Sequence, residues 1–250
     1  MTPQHAPLRL RGVTLVELMV SLVIGLVVTL AASQAYLATS SASRIADAQA
    51  RMNEDAQTAL AILTQQLKLA GANPVRPGRV QASLRNQLSA TYIVRGCDSS
   101  FSNTSTAQTI DNLICNHTAA STGPDAIAIH YEADTFNTSP QKSSTTPTDC
   151  VGYGLSTSAT NYTDTSGTSG TTAMFVATPV YYISTNGTRS SLSCRNADGS
   201  GSAQPLIENV MDLQLLYGTA SNANKSDVQG YLTAQQIDDP AGPIVGTASA

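Results

Sequence analysis

The sequence has few charged residues and few of the side chains that carry catalytic chemistry. Charged residues make up 12% of the 250, about half of the usual share, and the net charge is −4. The three histidines, His5, His117 and His130, are scattered, whereas a metal site needs several ligands together. No nucleophile elbow, phosphate-binding loop or zinc-protease motif is present. These absences predict a protein that is not an enzyme, with no cofactor and no metal.

Basic residues form no cluster beyond the first dozen positions. Nucleic acid is therefore not an expected partner, because binding to it depends on neutralising phosphates. Serine and threonine fill much of the rest of the chain. Such a neutral, hydroxyl-rich surface is typical of an exported protein.

Four cysteines follow the N-terminal apolar run, and none of them belongs to a CxxC pair. They are Cys97, Cys115, Cys150 and Cys194. An even number in an exported region favours two disulfides over free buried thiols. Three pairings are possible, and proximity along the chain suggests Cys97–Cys115 with Cys150–Cys194.

From Val13 to Ser43 the chain contains a single charged side chain, Glu17. This run is long enough to cross a bilayer as a helix, which takes about 20 residues. Arg9 and Arg11 precede it, so the positive-inside rule predicts a cytoplasmic N-terminus and a periplasmic head. A carboxylate inside an apolar helix costs about 2.5–3.5 kcal/mol on insertion scales, so Glu17 requires a partner.

Two simple interpretations of the run leave Glu17 unexplained. One is an uncleaved signal anchor. The other is a secretory signal cut at the small-residue stretch Ser33-Gln34-Ala35. Neither supplies a positive group for the carboxylate.

The stretch from Arg11 to Leu18, RGVTLVEL, resembles the prepilin signature of type IV pilin-like proteins. The resemblance implies that a dedicated peptidase cuts between Gly12 and Val13 and that Val13 is then N-methylated. Val13 departs mildly from the phenylalanine usual in that family. The new amine lies one helical turn before Glu17, so the two can pair within a chain or between subunits. Glu17 is thereby predicted to act in assembly.

No proline interrupts residues 13–73, and Gly71 with Asn73-Pro74 forms a stop signal. We expect one long helix over residues 13–71 after a leader at residues 1–12. Residues 13–37 would form the transmembrane segment and filament core. Apolar residues then recur every three or four positions, which predicts one packed face. Its members are Ile45, Ala48, Met52, Ala56, Ala59, Leu63, Leu67 and Ala70.

Residues 72–250 are predicted to form a globular β-rich head. Strand candidates are Ala90–Arg95, Ala126–Glu132, Ala173–Ser184 as one bent strand or two, and Ser191–Cys194. Leu206–Tyr217 is ambiguous between strand and helix, and the polar segment Asn137–Thr172 is expected to be a long mobile loop. The expected fold class is α+β and pilin-like: a long N-terminal helix on an antiparallel sheet with long loops.

Several head motifs are similar to those of PilW-type minor pilins. They are Leu69–Pro74, Arg95-Gly96-Cys97, Tyr181-Tyr182-Ile183, Ser191–Cys194 and Leu206–Gly218. The family usually continues into a Trp-containing segment and a last apolar strand. This chain has no Trp and ends in Gly-, Ala- and Pro-rich sequence, so either the head lacks that strand or the C-terminus is incomplete.

The resemblance implies a minor pilin that takes part in type IV pilus assembly, in an initiation or tip complex. Expected partners are other major and minor pilins, the prepilin peptidase/methyltransferase and the inner membrane. The expected location is the inner membrane as a single-pass protein, then the pilus and cell surface. A type II secretion pseudopilin and a signal-anchored periplasmic binding protein are the alternatives.

Overall fold

A computed structural model describes residues 12–74, 92–104, 108–116, 123–138, 146–163, 169–199, 202–221 and 224–238. Within these ranges the chain forms two helices and ten strands. The helices are α1 (Leu15–Leu69) and the short α2 (Ala234–Asp238), and a 3-10 turn covers Ile110–Asn112. The strands are β1 (Val94–Cys97), β2 (Ala126–Ile129), β3 (Tyr131–Ala133), β4 (Thr157–Thr163), β5 (Ser169–Ala177), β6 (Pro179–Asn186), β7 (Arg189–Asn196), β8 (Gln204–Glu208), β9 (Tyr217–Ser221) and β10 (Asn224–Leu232).

The strands make three sheets in which every pairing is antiparallel. A five-stranded sheet has the order β1-β2-β6-β7-β8, a three-stranded sheet the order β3-β5-β4, and β9 pairs with β10 alone. Together with the long apolar helix, this confirms the α+β pilin-like fold class.

The chain divides into two compact units, Met1–Glu54 and Asp55–Ala250. The first contains the apolar part of α1. The second contains the last turns of α1 and the sheets, and its main core joins Ala59 and Leu63 to strand residues such as Ile129 and Tyr181.

The predicted packed face of α1 is only partly correct. Ala59 and Leu63 are buried, whereas Ile45 and Met52 are 60% and 64% exposed. Within the second unit, Ala59 and Leu63 belong to the main core with residues of the strands, whereas Ile45 and Met52 belong to the first unit. Periodicity alone could not show which turns of α1 belong to the head unit.

α1 covers Leu15–Leu69, two residues shorter at each end than the predicted helix over residues 13–71. Gly71 has φ +70, a left-handed conformation that glycine adopts without strain, and its N–H donates to the carbonyl of His130 at 2.9 Å. A Cβ at Gly71 would also lie 3.2 Å from Ile93. The N–H of Glu132 donates to the carbonyl of Ala72 at 2.9 Å. The chain leaving α1 is thus fastened beside β3.

The predicted single strand Ala126–Glu132 is wrong, because it is two strands that enter different sheets. β2 pairs with β1 and β6, whereas β3 pairs with β5. The break falls at His130, whose backbone N–H donates to Ile93 and whose carbonyl accepts from Gly71. Both strands are buried throughout, so the alternating pattern did not mark one exposed face.

The remaining strand predictions are correct in part. Ala173–Ser184 was predicted as one bent strand or two, and it forms two, with the break at Thr178. The expected mobile loop at Asn137–Thr172 is wrong for its second half, since it contains all of β4 and the start of β5. β4 pairs with β5 along all seven of its residues, so backbone hydrogen bonding contributes to the order of this segment. Leu206–Tyr217 is neither one strand nor a helix, because β8 ends at Glu208 and β9 begins at Tyr217. Ala90 lies outside the described residues, and β1 begins at Val94.

His130 gives the head a sensitivity to acid. Its Nδ1 lies 2.8 Å from the Thr178 hydroxyl, and Nε2 has no hydrogen-bond partner among the residues that the structure describes. Burial lowers the pKa of His130 to about 4 from 6.5, and the nearby charge of Asp111 opposes this shift. The unfolded chain therefore binds the proton more readily than the folded chain does. The stability of the folded head is highest above pH 6.5, where His130 is neutral in both states, and it decreases as the pH falls towards 4.

We expect the free energy of unfolding to decrease by about 3 kcal/mol over that window through His130 alone. His130→Leu should remove this part of the pH dependence while also losing the Thr178 contact. Urea unfolding of the full chain at pH 7, 5.5 and 4.5 measures the difference. If the free energy of unfolding changed equally with pH in the wild-type protein and in His130→Leu, His130 would not be the source of this pH dependence.

Candidate assembly and processing site

Gly12 and Val13, the residues on either side of the predicted cut, lie before the first turn of α1. Both are exposed, Val13 by 70%, in backbone that is not helical. A Cβ added at Gly12 would meet no atom within 4 Å among the described residues beyond its chain neighbours. The described part of the fold therefore has room for a side chain at this position.

The first turn of α1 is capped by Thr14. Its hydroxyl accepts a hydrogen bond from the N–H of Glu17 at 3.3 Å, and its carbonyl accepts from the N–H of Leu18 at 3.2 Å. Thr14 with Glu17 three residues later is the capping-box pattern, and a carboxylate in the first turn favours the helix dipole. Our sequence reasoning missed this local role, although the Thr-x-x-Glu spacing was its signal.

From Val13 to Leu37 the side chains of the described helix are all exposed, although most are aliphatic. By length and composition α1 could cross a membrane. Its hydroxyls are satisfied locally: Ser21 donates to the Leu18 carbonyl at 2.9 Å and Ser33 to the Thr29 carbonyl at 2.7 Å. The helix thus presents an apolar surface with few unmet polar groups, as a lipid or a bundle of similar helices requires.

In the head, two of the motifs singled out in the sequence meet at one contact. Gly96 is in β1 and Tyr217 begins β9, and a Cβ at Gly96 would overlap the phenol of Tyr217. Burial raises the pKa of Tyr217, and the carboxylates of Asp125 and Asp98 add to this. Glycine is therefore required because the ring occupies the side-chain position.

We expect Gly96→Ala to lower the free energy of unfolding by about 1–3 kcal/mol, the usual cost of overpacking. In a Tyr217→Ala background the same substitution should cost less than about 1 kcal/mol, because the overlapping ring is gone. Urea unfolding of the full chain in detergent, followed by circular dichroism, measures the wild type, both single variants and the double variant. Together these four values form a double-mutant cycle. An equal loss in both backgrounds would show that the contact is not the cause.

Two carboxylates near the Gly96–Tyr217 contact hydrogen-bond to backbone N–H groups that are distant in the sequence. Asp125 is 4% exposed, and its Oδ2 accepts from the N–H of Leu215 at 2.6 Å. Burial raises the pKa of Asp125, with the hydrogen bond from Leu215 opposing. Asp98 accepts from the N–H groups of Ala234 and Gln235 at 3.0 and 3.3 Å, which caps α2. These carboxylates therefore have structural partners, and sequence reasoning gave no signal for either.

The four cysteines form two disulfides in the structure. Cys97 is bonded to Cys115 and Cys150 to Cys194, the pairing that proximity suggested. Cys194 is fully buried in β7, so the second bond ties the turn after Thr148 to the five-stranded sheet. His117, near Cys115, lies outside the described residues.

Two family models match this chain. Residues 180–243 match Type IV Pilus-assembly protein W. Residues 9–33 match the Prokaryotic N-terminal methylation motif. The first covers β6 to α2, including Tyr217 and β10, and the second covers Gly12, Val13 and Glu17. Neither the curated proteins nor the solved structures gave a match.

Both models describe pilus-associated structural proteins and not enzymes, and the motif with its apolar helix is consistent with membrane anchoring. The resemblance noted in the sequence is thereby confirmed: at its N-terminus and in its head, the chain is similar to type IV pilus-associated pilin-like proteins of the PilW type.

Proposed function

We propose that this chain is a minor pilin that takes part in type IV pilus assembly, in an initiation or tip complex. The observation that carries the proposal is the order of three segments along the chain. A methylation motif leads directly into an exposed apolar helix, and the same chain ends in a head whose residues 180–243 match a pilus-assembly protein. That match also favours a pilus over a secretion pseudopilus.

Processing begins at an accessible bond. A prepilin peptidase hydrolyses the Gly12–Val13 peptide, the leader 1–12 leaves with Arg9 and Arg11, and the Val13 amine is released and methylated. The exposed, non-helical backbone of Gly12 and Val13 supports this step, because a protease needs an extended strand of substrate.

The released amine then lies at the N-terminus of α1, where the helix dipole already carries positive partial charge. Glu17 is in the first turn and offsets both charges. In a bundle of apolar helices the amine and the carboxylate neutralise each other, so neither charge is left unpaired in hydrocarbon. Between subunits the same pairing would set the register of neighbouring helices.

The partners follow from this mechanism. They are the peptidase/methyltransferase, the inner membrane, and other major and minor pilins whose helices replace lipid around residues 13–37. Before assembly the protein is a single-pass inner-membrane protein with its head in the periplasm. Afterwards it belongs to the pilus at the cell surface.

Intact-mass and N-terminal analysis of the protein from the native membrane and from sheared filaments tests the proposal. We expect one species in both fractions, beginning at Val13 and carrying one methyl group. A chain beginning at Met1 would indicate a signal anchor, and one beginning at Tyr36 a secreted protein. A processed species that never enters sheared filaments would indicate a secretion pseudopilin.

A further inference from the structure

Six asparagines of the head precede a serine or threonine by two positions. An Asn-x-Ser/Thr triplet, with any residue except proline in the middle, is the acceptor sequence for N-linked glycans. The six triplets begin at Asn103, Asn116, Asn137, Asn161, Asn186 and Asn224. Serine and threonine are abundant in this chain, so a triplet alone is weak evidence. The surroundings of each side-chain amide decide whether it can react.

Two of these amides already hold the fold together. The Asn103 nitrogen donates to the Asn112 carbonyl at 2.8 Å, and the Asn137 nitrogen donates to the Glu132 carbonyl at 2.7 Å. Each amide oxygen also accepts from a backbone N–H, at 2.9 and 2.7 Å respectively. A sugar on either nitrogen would disturb the loop that the amide fixes, because the bonded nitrogen faces the backbone.

The Asn186 triplet lies at the tip of the β6–β7 hairpin. All residues from Thr185 to Arg189 are exposed, so the acceptor amide and the Thr188 hydroxyl both belong to surface residues. Asn186 pairs with Arg189, which leaves Gly187 and Thr188 as a two-residue turn. Gly187 has φ +63, a conformation that glycine adopts without strain. The triplet is thus presented on a short, projecting turn.

The side-chain amide of Asn186 is free to react. It forms no hydrogen bond with the residues that the structure describes, unlike the amides of Asn103 and Asn137. A Cβ added at Gly187 would meet no atom within 4 Å among the described residues beyond its chain neighbours. The space around the tip is therefore open, and a bulky group can be attached there without displacing the described part of the fold.

We propose that Asn186 is an N-glycosylation site. The Asn186 Nδ2 attacks the anomeric carbon of a sugar that is activated as a diphosphate ester of a nucleotide or a lipid. A C–N bond forms, the C–O bond to the diphosphate breaks, and the diphosphate leaves with the electron pair. The nitrogen gives up one proton to a base of the transferase. Thr188 supplies the hydroxyl that the acceptor sequence requires.

The glycan would add polar bulk to a hairpin within residues 180–243, the segment that matches the pilus-assembly family. It is a second modification, separate from cleavage and methylation at Gly12 and Val13. The proposal does not rest on filament assembly.

The test is peptide mass mapping of the full chain purified from its native membrane, with electron-transfer fragmentation to locate any sugar. We expect a glycan on Asn186. In the same digest Asn103 and Asn137 should be unmodified, because their amides are hydrogen-bonded. Asn209 is exposed but has no serine or threonine two positions later, so it should also be unmodified. A single hexose would indicate a nucleotide-linked donor, and a preassembled oligosaccharide would indicate a lipid-linked donor.

Three variants test the acceptor sequence. Asn186→Gln and Thr188→Ala should each abolish the glycan, whereas Thr188→Ser should retain it because serine keeps the hydroxyl. Both positions are exposed, so all three variants should keep the urea midpoint that the wild-type chain shows after enzymatic removal of the glycan. Equal midpoints would exclude misfolding as the cause of a lost glycan.

Four results would overturn the proposal. They are an unmodified Asn186, its conversion to aspartate without a sugar, a glycan that persists on Asn186 in Thr188→Ala, and sugars on serine or threonine alone. The N-terminal residue of the same preparation is read in the same digest. A chain that begins at methylated Val13 and carries no glycan would contradict this proposal and leave the pilin proposal standing.

Discussion

Glu17→Ala is expected to lower the amount of this protein in sheared filaments by about tenfold or more, with no change in its processing or its level in the membrane. Without the carboxylate, the cationic Val13 amine enters an apolar helical bundle unpaired, and a charge at such depth costs about 2.5–3.5 kcal/mol. A cost of this size corresponds to at least a tenfold change in an equilibrium constant. Quantitative immunoblotting of filament and membrane fractions measures it.

Two further variants separate the charge from the capping role that the structure shows. Thr14→Ala removes the hydroxyl that accepts from Glu17, at about 0.5–2 kcal/mol of helix stability, but leaves both charges in place. We expect it to assemble nearly normally. Glu17→Gln keeps the shape of the side chain without its charge and should fail like Glu17→Ala. If Thr14→Ala failed and Glu17→Gln assembled, helix capping would be the reason for the acid.

Removing the Cys150–Cys194 disulfide should destabilise the head more than any other change considered for it. The bond closes a loop with a sequence separation of 44, and the chain-entropy relation gives about 4 kcal/mol for a loop of that length. Domain stabilities are about 5–15 kcal/mol, so such a loss is a large part of the total. Cys150→Ala/Cys194→Ala is therefore expected to show a much lower urea midpoint.

The other disulfide provides the matched control. Cys97→Ala/Cys115→Ala opens a loop with a separation of 18, for which the same relation gives about 3 kcal/mol. Urea unfolding of both double variants in the full chain should therefore rank them in the order of loop length. A loss below about 1 kcal/mol for the Cys150–Cys194 pair would mean that the buried core at Cys194 holds this region without the bond.

Local properties of the chain are the ones that its sequence predicted well. The absence of proline over residues 13–73 and the apolar run after Val13 predicted α1, because helix formation depends on residues within a few positions of one another. Gly71 predicted the end of α1 for the same reason. The prepilin resemblance is equally local, since Gly12 to Glu17 occupy six consecutive positions.

Strand boundaries were harder because each depends on a distant partner. Ala126–Glu132 has the pattern of one strand, yet β2 and β3 pair with different sheets on either side of His130. The threonine-rich sequence of β4 lacks the apolar pattern that predicts a strand. Its partner β5 supplies backbone hydrogen bonds to it. Pairing of this kind is chosen by the whole sheet and not by the segment.

By itself, the sequence determined the long helix, the presence of a β-rich head, the even cysteine count and the N-terminal methylation motif. Each is a property of neighbouring residues or of composition. Only the tertiary structure decided that Gly96 lies under the Tyr217 ring and which of the three possible cysteine pairings forms. These contacts join residues separated by tens of positions, and burial and packing in the folded head select them from many alternatives.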